Sequence, residues 1–273
     1  MVTQEQRKRQ LAREKFLRQQ QRRTSARRKA RVRNSVIASV LGVIVIGSVA
    51  LYTTGVLKND DKANASAETS ASPSAAPSKA KDPCEKPAAG SIKKLTWKKE
   101  PAVTIDTSAK YTMTLATTCG DIGIALKAKA APHTVNSFDF LAGKGYFDHT
   151  KCHRLTTNGI YVLQCGDPTG AGSGGPGYTI PDENLKDASL KSNIYPAGTI
   201  AMANTGQAHT GGSQFFLVYQ DSQLPPSYTP FGTVSADGMK VLKKIAAAGE
   251  STGAGDGAPN ATVVINKATV TKS

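Results

Sequence analysis

Arginine is scarce in most of this 273-residue sequence: ten of its eleven arginines lie at or before Arg33, and the other is Arg154. The formal charge of +15 is therefore not spread along the chain. Residues 1–35 hold 13 basic and 2 acidic side chains, a net +11, whereas residues 106–273 hold 13 and 12, a net +1. A basic tail on a nearly neutral body argues against a nucleic-acid-binding fold, which would spread positive charge over a folded face. No CxxC pair and no GxSxG elbow occur, so the usual zinc and nucleophile signatures are missing. His133, His149, His153 and His209 make no metal-ligand pattern, and neither metal nor cofactor is expected. Gly170-Ala171-Gly172-Ser173-Gly174-Gly175 formally matches GxGxxG. A dinucleotide site needs a helix directly after it, and Pro176-Gly177 with Pro181 cannot start one.

Charge is absent from Val36 to Leu57, a run of 22 residues. That is long enough to cross a hydrocarbon core of roughly 30 Å as a helix. Basic residues stay on the cytoplasmic side, so residues 1–35 read as a cytoplasmic tail and 36–57 as an uncleaved signal anchor. The remainder is then extracytoplasmic at the cell membrane. Residues 58–83, rich in Ala, Ser and Pro, cannot bury enough surface to offset ordering entropy and read as a disordered linker. Residues 84–105, with Cys84 and the only tryptophan, Trp97, read as an extended arm before a domain at 106–273.

The four cysteines, Cys84, Cys119, Cys152 and Cys165, all fall on the expected outer side, where disulfides persist. Three pairings are possible. Asn158-Gly159 suggests a hairpin with a two-residue turn. Such a turn sets Cys152 opposite Cys165, which favours Cys152–Cys165 and leaves Cys84–Cys119 to pin the arm. Alternation predicts strands at Tyr111–Thr117, Ile122–Leu126, Thr199–Met202, Gln214–Tyr219 and Val263–Val270. Helices are expected at Pro132–Leu141, with proline suited to the first turn, and at Asp237–Ala248, with Gly249 as a stop.

Three segments carry a resemblance. They are Cys152-His153-Arg154, the run Gln164-Cys165-Gly166-Asp167-Pro168-Thr169-Gly170, and Met202-Ala203-Asn204 leading to Gly212-Ser213-Gln214-Phe215-Phe216. In this order and spacing, over about residues 110–273, the chain resembles the cyclophilin family of peptidyl-prolyl isomerases. The resemblance implies a mainly β fold: a closed eight-stranded antiparallel β-barrel capped by two helices, with a proline groove on one side. It implies binding of proline-containing polypeptides, and a monomer is expected, although the sequence itself does not give the oligomeric state.

The chemistry suits the residues. An X-Pro bond isomerises slowly because amide resonance gives a barrier of about 20 kcal/mol. A donor aimed at the imide nitrogen helps only once that nitrogen loses conjugation, which is selective binding of the transition state. By resemblance, Arg154 is that donor, with Gln164, the backbone at Asn204, and Phe216 as its companions in the catalytic set. Tyr161, Val162, Phe216 and Leu224 would line the proline pocket, Gln214 would support the arginine side, and His153, Ala203, Thr205 and Tyr228 complete the substrate-binding set. Departures from the family pattern are Cys152 for phenylalanine, Cys165 for glycine, Gln223 for tryptophan, Tyr228 for histidine, and two extra residues between Arg154 and Gln164. One conflict follows. If Cys152 faces Cys165, strict alternation puts Arg154 and Gln164 on opposite faces, and a one-residue bulge is needed to bring them together.

Overall fold

A computed structural model describes residues 82–273. The tail, the expected membrane anchor at 36–57 and the linker up to residue 81 lie outside the described residues. Among the described residues no helix is long and apolar enough to cross a membrane.

The first half of the domain holds β1 (Tyr111–Thr117), β2 (Gly120–Leu126), α1 (Pro132–Gly143), β3 (Thr150–Lys151), β4 (Arg154–Thr156) and β5 (Val162–Cys165). The second holds β6 (Ile194–Tyr195), β7 (Thr199–Met202), β8 (Phe215–Val218), β9 (Ser222–Gln223), β10 (Pro230–Val234), α2 (Ala236–Ala247), β11 (Asp256–Gly257) and β12 (Val264–Lys272). A 3-10 turn at Lys191–Asn193 precedes β6. Pro132 opens α1, and the free amides of His133 and Thr134 donate to the two carboxylate oxygens of Glu183, at 3.0 and 2.9 Å. Helix α2 is capped by the Ser235 hydroxyl, which accepts from Gly238 N. That satisfies one of the first-turn donors that a helix leaves unpaired.

The fold is mainly β with two helices. Ten strands form one curled antiparallel sheet in the order β11-β4-β5-β8-β7-β10-β2-β1-β12-β3, and β6 pairs with β9. The count differs from the eight strands expected for two reasons. Cys152–His153 interrupt one expected strand and split it into β3 and β4, and Asp256–Gly257 add a two-residue strand beside β4. The two halves of that interrupted segment serve opposite ends of the order: β3 pairs with β12, and β4 with β5.

Alternation sorts the side chains of each strand between two faces. Met113, Leu115, Ile122, Ile124, Leu163, Leu217 and Phe215 enter the main core with Phe138 of α1 at its centre. The Phe138 ring lies 4.6 Å from Phe231 and 5.3 Å from Phe147. The other face of β5, β7 and β8 is covered by a second, smaller cluster of Val162, Tyr195, Ala201, Phe216 and Val218. This is why β7 and β8 are buried along their whole length.

The arm crosses the domain with specific attachments. The Cys84 sulfur is bonded to that of Cys119. Trp97 N donates to Pro176 O at 2.8 Å, and the indole sits edge-on to Phe140 at 5.0 Å. Asn136 accepts from Thr104 N at 2.9 Å.

Candidate active site

The site begins with a row of residues across four strands. Arg154 on β4 pairs with Gln164 on β5, Gln164 with Phe216 on β8, and Phe216 with Ala201 on β7. Paired residues share a face, so the row aligns a cation, an amide and an aromatic ring. The sulfurs of Cys152 and Cys165 are bonded. His153 N donates to Gln164 O at 3.1 Å, so His153 and Arg154 together face the single residue Gln164. That is the bulge the conflict required. The connection differs from the expected two-residue turn: β4 ends at Thr156 and β5 begins at Val162, so five residues, 157–161, join them. The longer loop absorbs the residue that the bulge adds.

Arg154, Ile160, Val162, Gln164, Ala203, Asn204, Phe216, Leu224 and Tyr228 enclose a pocket of about 220 Å³. Phe216 is buried at 5% exposure. The Tyr228 ring stands edge-on to it at 5.4 Å, and the Tyr228 backbone is held by the Tyr195 hydroxyl, which donates to Tyr228 O at 2.8 Å. Ile160, Val162, Phe216 and Leu224 give the pocket an apolar side, and Arg154, Gln164 and Asn204 bring polar groups to it.

A chain of hydrogen bonds continues from the guanidinium. Arg154 Nη1 donates to Gln164 Oε1 (3.2 Å), Gln164 Nε2 to Gln214 Oε1 (2.9 Å), and Gln214 Nε2 to Gly174 O (2.9 Å). It ends on the glycine-rich loop, which forms one wall of a second groove of about 690 Å³ that also touches Gln164, Ala203, Asn204, Thr205 and Gln214. The loop is wound around the Asp167 carboxylate, which accepts from the backbone amides of Thr169, Gly172, Ser173 and Gly174. Successive amides aimed at one anion form a nest. Burial pushes the Asp167 carboxyl upward, but the amides of Gly174, Thr169 and Gly172 and the Thr169 hydroxyl outweigh it and hold the group at about 2. A Cβ on Gly174 would lie 2.1 Å from Asp167 Oδ1, so only glycine fits there.

Eight of the expected residues therefore meet in the pocket, and Thr205 and Gln214 lie in the groove beside it. Two do not join them. Tyr161 sits between Ile160 and Val162, which line the pocket. Tyr161 instead packs against the main core, its ring 5.9 Å from that of Tyr219. His153 is likewise turned away from Arg154, into a cavity of about 290 Å³ with Lys151, Cys152 and Val263. Neither of its ring nitrogens has a partner. Burial, helped by the charges of Arg154 and Lys151 and opposed by Asp167, lowers its pKa. Asn204 offers its backbone, because its side chain is engaged with Ser227 O and Gly206 N. Sequence reasoning missed Ile160 and Asp256. Ile160 was legible as the same-face neighbour of Val162. Asp256 had no local signal: it is 102 residues from the arginine it binds.

The model of the cyclophilin-type peptidyl-prolyl cis-trans isomerase family matches residues 112–270, more than half the chain. This chain is a cyclophilin. It is 52% identical over 165 residues to a probable peptidyl-prolyl cis-trans isomerase B of Mycobacterium leprae, covering 58% of this chain and 56% of that one. It is 38% identical over 125 residues to peptidyl-prolyl cis-trans isomerase B of Bacillus subtilis, covering 45% and 82%. A crystal structure of a Cryptosporidium parvum cyclophilin, solved in the presence of the dipeptide Ala-Pro, is 26% identical with a TM-score of 0.48, covering 59% of this chain and 99% of that one. The match spans little more than half the length of the mycobacterial relative. The pocket and the row of residues beside it lie wholly within the family segment.

Proposed function

We propose that this cyclophilin is a peptidyl-prolyl cis-trans isomerase that assists the folding of exported or surface proteins. One observation carries the reading: Arg154 lines the same pocket as the apolar side chains of Val162, Phe216 and Leu224, which together offer a seat for a proline ring. The ring, seated against Phe216, Leu224 and Tyr228, fixes one side of the imide bond. The chain on the other side then turns. As conjugation breaks, the imide nitrogen becomes pyramidal and gains a lone pair, and Arg154 donates to it. The planar ground state has no such acceptor, so the interaction is made only in the transition state. Arginine suits the task because it stays charged at any working pH. The Asn204 backbone and Gln164 hold the neighbouring peptide groups. No covalent step is required, and no cofactor takes part.

The finer parts of the reading rest on the sequence. Residues 36–57 anchor the chain in the cell membrane with residues 1–35 in the cytoplasm. The curled sheet acts as a closed barrel, monomeric and extracytoplasmic, on a linker that keeps it near the membrane. The test is a protease-coupled isomerisation assay of Arg154→Ala beside the wild type. Loss of one transition-state donor lowers kcat/KM by about 10²–10³-fold, with peptide binding and melting temperature nearly kept. An unchanged rate would overturn the catalytic reading and leave a proline-binding module.

A further inference from the structure

The side chain that fixes Arg154 in place comes from outside the pocket. Asp256 Oδ1 accepts from Arg154 Nε at 2.7 Å, and Asp256 Oδ2 accepts from Nη2 at 2.8 Å. This is a bidentate fork, the geometry in which a planar guanidinium and a carboxylate match. The backbone beneath the fork is also tied: Asp256 pairs with Thr156, two residues along β4 from Arg154. Donor and acceptor thus stand on adjacent, hydrogen-bonded strands.

The loop that delivers Asp256 is itself built. The Glu250 carboxylate accepts from Thr252 N (2.6 Å), Thr252 Oγ1 (2.7 Å) and Gly255 N (2.8 Å). Gly255 O accepts from Thr157 N at 2.9 Å.

A guanidinium carries five N–H donors. Two go to Asp256 and one to Gln164. Two remain, one on each Nη, held in a plane that the three engaged donors define. An arginine free to sample its rotamers would lose side-chain entropy on meeting the imide nitrogen. Here most of that ordering is complete before substrate arrives. The pair is also exposed: the Arg154 and Asp256 side chains keep 37% and 56% of their accessible surface. Exposed ion pairs contribute little to stability, so the fork's consequence falls on geometry.

We infer that Asp256 is a positioning residue for the isomerisation: its carboxylate, presented by the Glu250-centred loop, aims the two free donors of Arg154 at the prolyl nitrogen. The inference rests on Arg154 being the catalytic donor. It deepens that reading by adding a residue that never touches substrate.

The experiment measures kcat and KM of the full chain for Asp256→Ala, Asp256→Glu, Arg154→Ala and the Asp256→Ala/Arg154→Ala double variant, with a melting curve for each. Asp256→Ala lowers kcat/KM about tenfold, mostly in kcat, because a small misplacement of a transition-state donor is enough to cost that much. Its melting temperature stays within about 2 °C of wild type. Asp256→Glu, which keeps the fork at an exposed site, recovers to within about threefold of wild type. The double variant is no slower than Arg154→Ala alone, because both changes remove one function. The positioning role is overturned if Asp256→Ala matches or exceeds wild type, if its melting temperature falls in proportion to its rate, or if the double variant loses a further tenfold. If instead Arg154→Ala keeps wild-type activity, the underlying reading fails, whatever Asp256→Ala does.

Discussion

Removing the Cys152–Cys165 disulfide separates the two demands that the sequence placed on one segment, a covalent link and a catalytic register. The perturbation is Cys152→Ala with Cys165→Ala, made together so that no free thiol is left to mispair. The link closes a loop with a sequence separation of 13. Freeing that loop in the unfolded chain costs the folded state about 3 kcal/mol by loop-closure entropy. In a domain of this size each kcal/mol lowers the melting temperature by about 2–4 °C, so a fall of about 6–12 °C is expected. The catalytic register is held by other bonds: His153 N to Gln164 O, Cys152 N to Val263 O at 3.0 Å, and the Arg154–Asp256 fork. The isomerisation rate, assayed at about 10 °C where the variant stays folded, therefore remains within about threefold of wild type. Calorimetry and the coupled assay on the same preparation decide it. An unchanged melting temperature would refute the loop-closure argument. A tenfold loss of rate in a folded variant would refute the claim that hydrogen bonds alone keep the bulge.

Phe216→Ala opens the floor of the pocket and lowers kcat/KM toward proline peptides by about 100-fold, the scale of losing several apolar contacts at a recognition site; steady-state kinetics measure it. Trp97→Ala removes the edge-on contact to Phe140 and costs about 3 kcal/mol, read as a lower urea midpoint. Asp167 is held at about 2, below the ordinary carboxylate value. Its contribution to stability is therefore complete above about pH 5 and is lost as the pH falls toward 2; the urea midpoint should drop through that window, and by less in Asp167→Asn, which no longer titrates.

Much of the fold was readable from local pattern. Thr199–Met202 is a strand at the bounds alternation gave, and both helices lie within two residues of their expected ends. Pro132 and Gly249 mark real boundaries because each has a backbone constraint that acts locally. The strand count was not readable. Whether a segment is one strand or two depends on the bulge at Cys152–His153, and that depends on a partner strand elsewhere in the chain. In the site, periodicity would have excluded Tyr161 and admitted Ile160 had it been applied residue by residue. Asp256 was out of reach, since its significance lies in a pairing between β11 and β4 that no short-range pattern encodes. Its loop reads only as glycine and polar residues.

The Cys84–Cys119 bond gives the arm a property best described in mechanical language. At Cys84 the chain is covalently welded to the β1–β2 turn, which contributes nothing to the pocket or the groove. A pull arriving along the chain is taken up at that weld and passes directly into the strands. The stretch from Glu85 to Ile105, including Trp97 and its hold on the glycine-rich loop, lies downstream of the weld and carries no load. The weld works as a strain relief, like the clamp on a cable before its contacts: the groove keeps its shape while the cable is tugged.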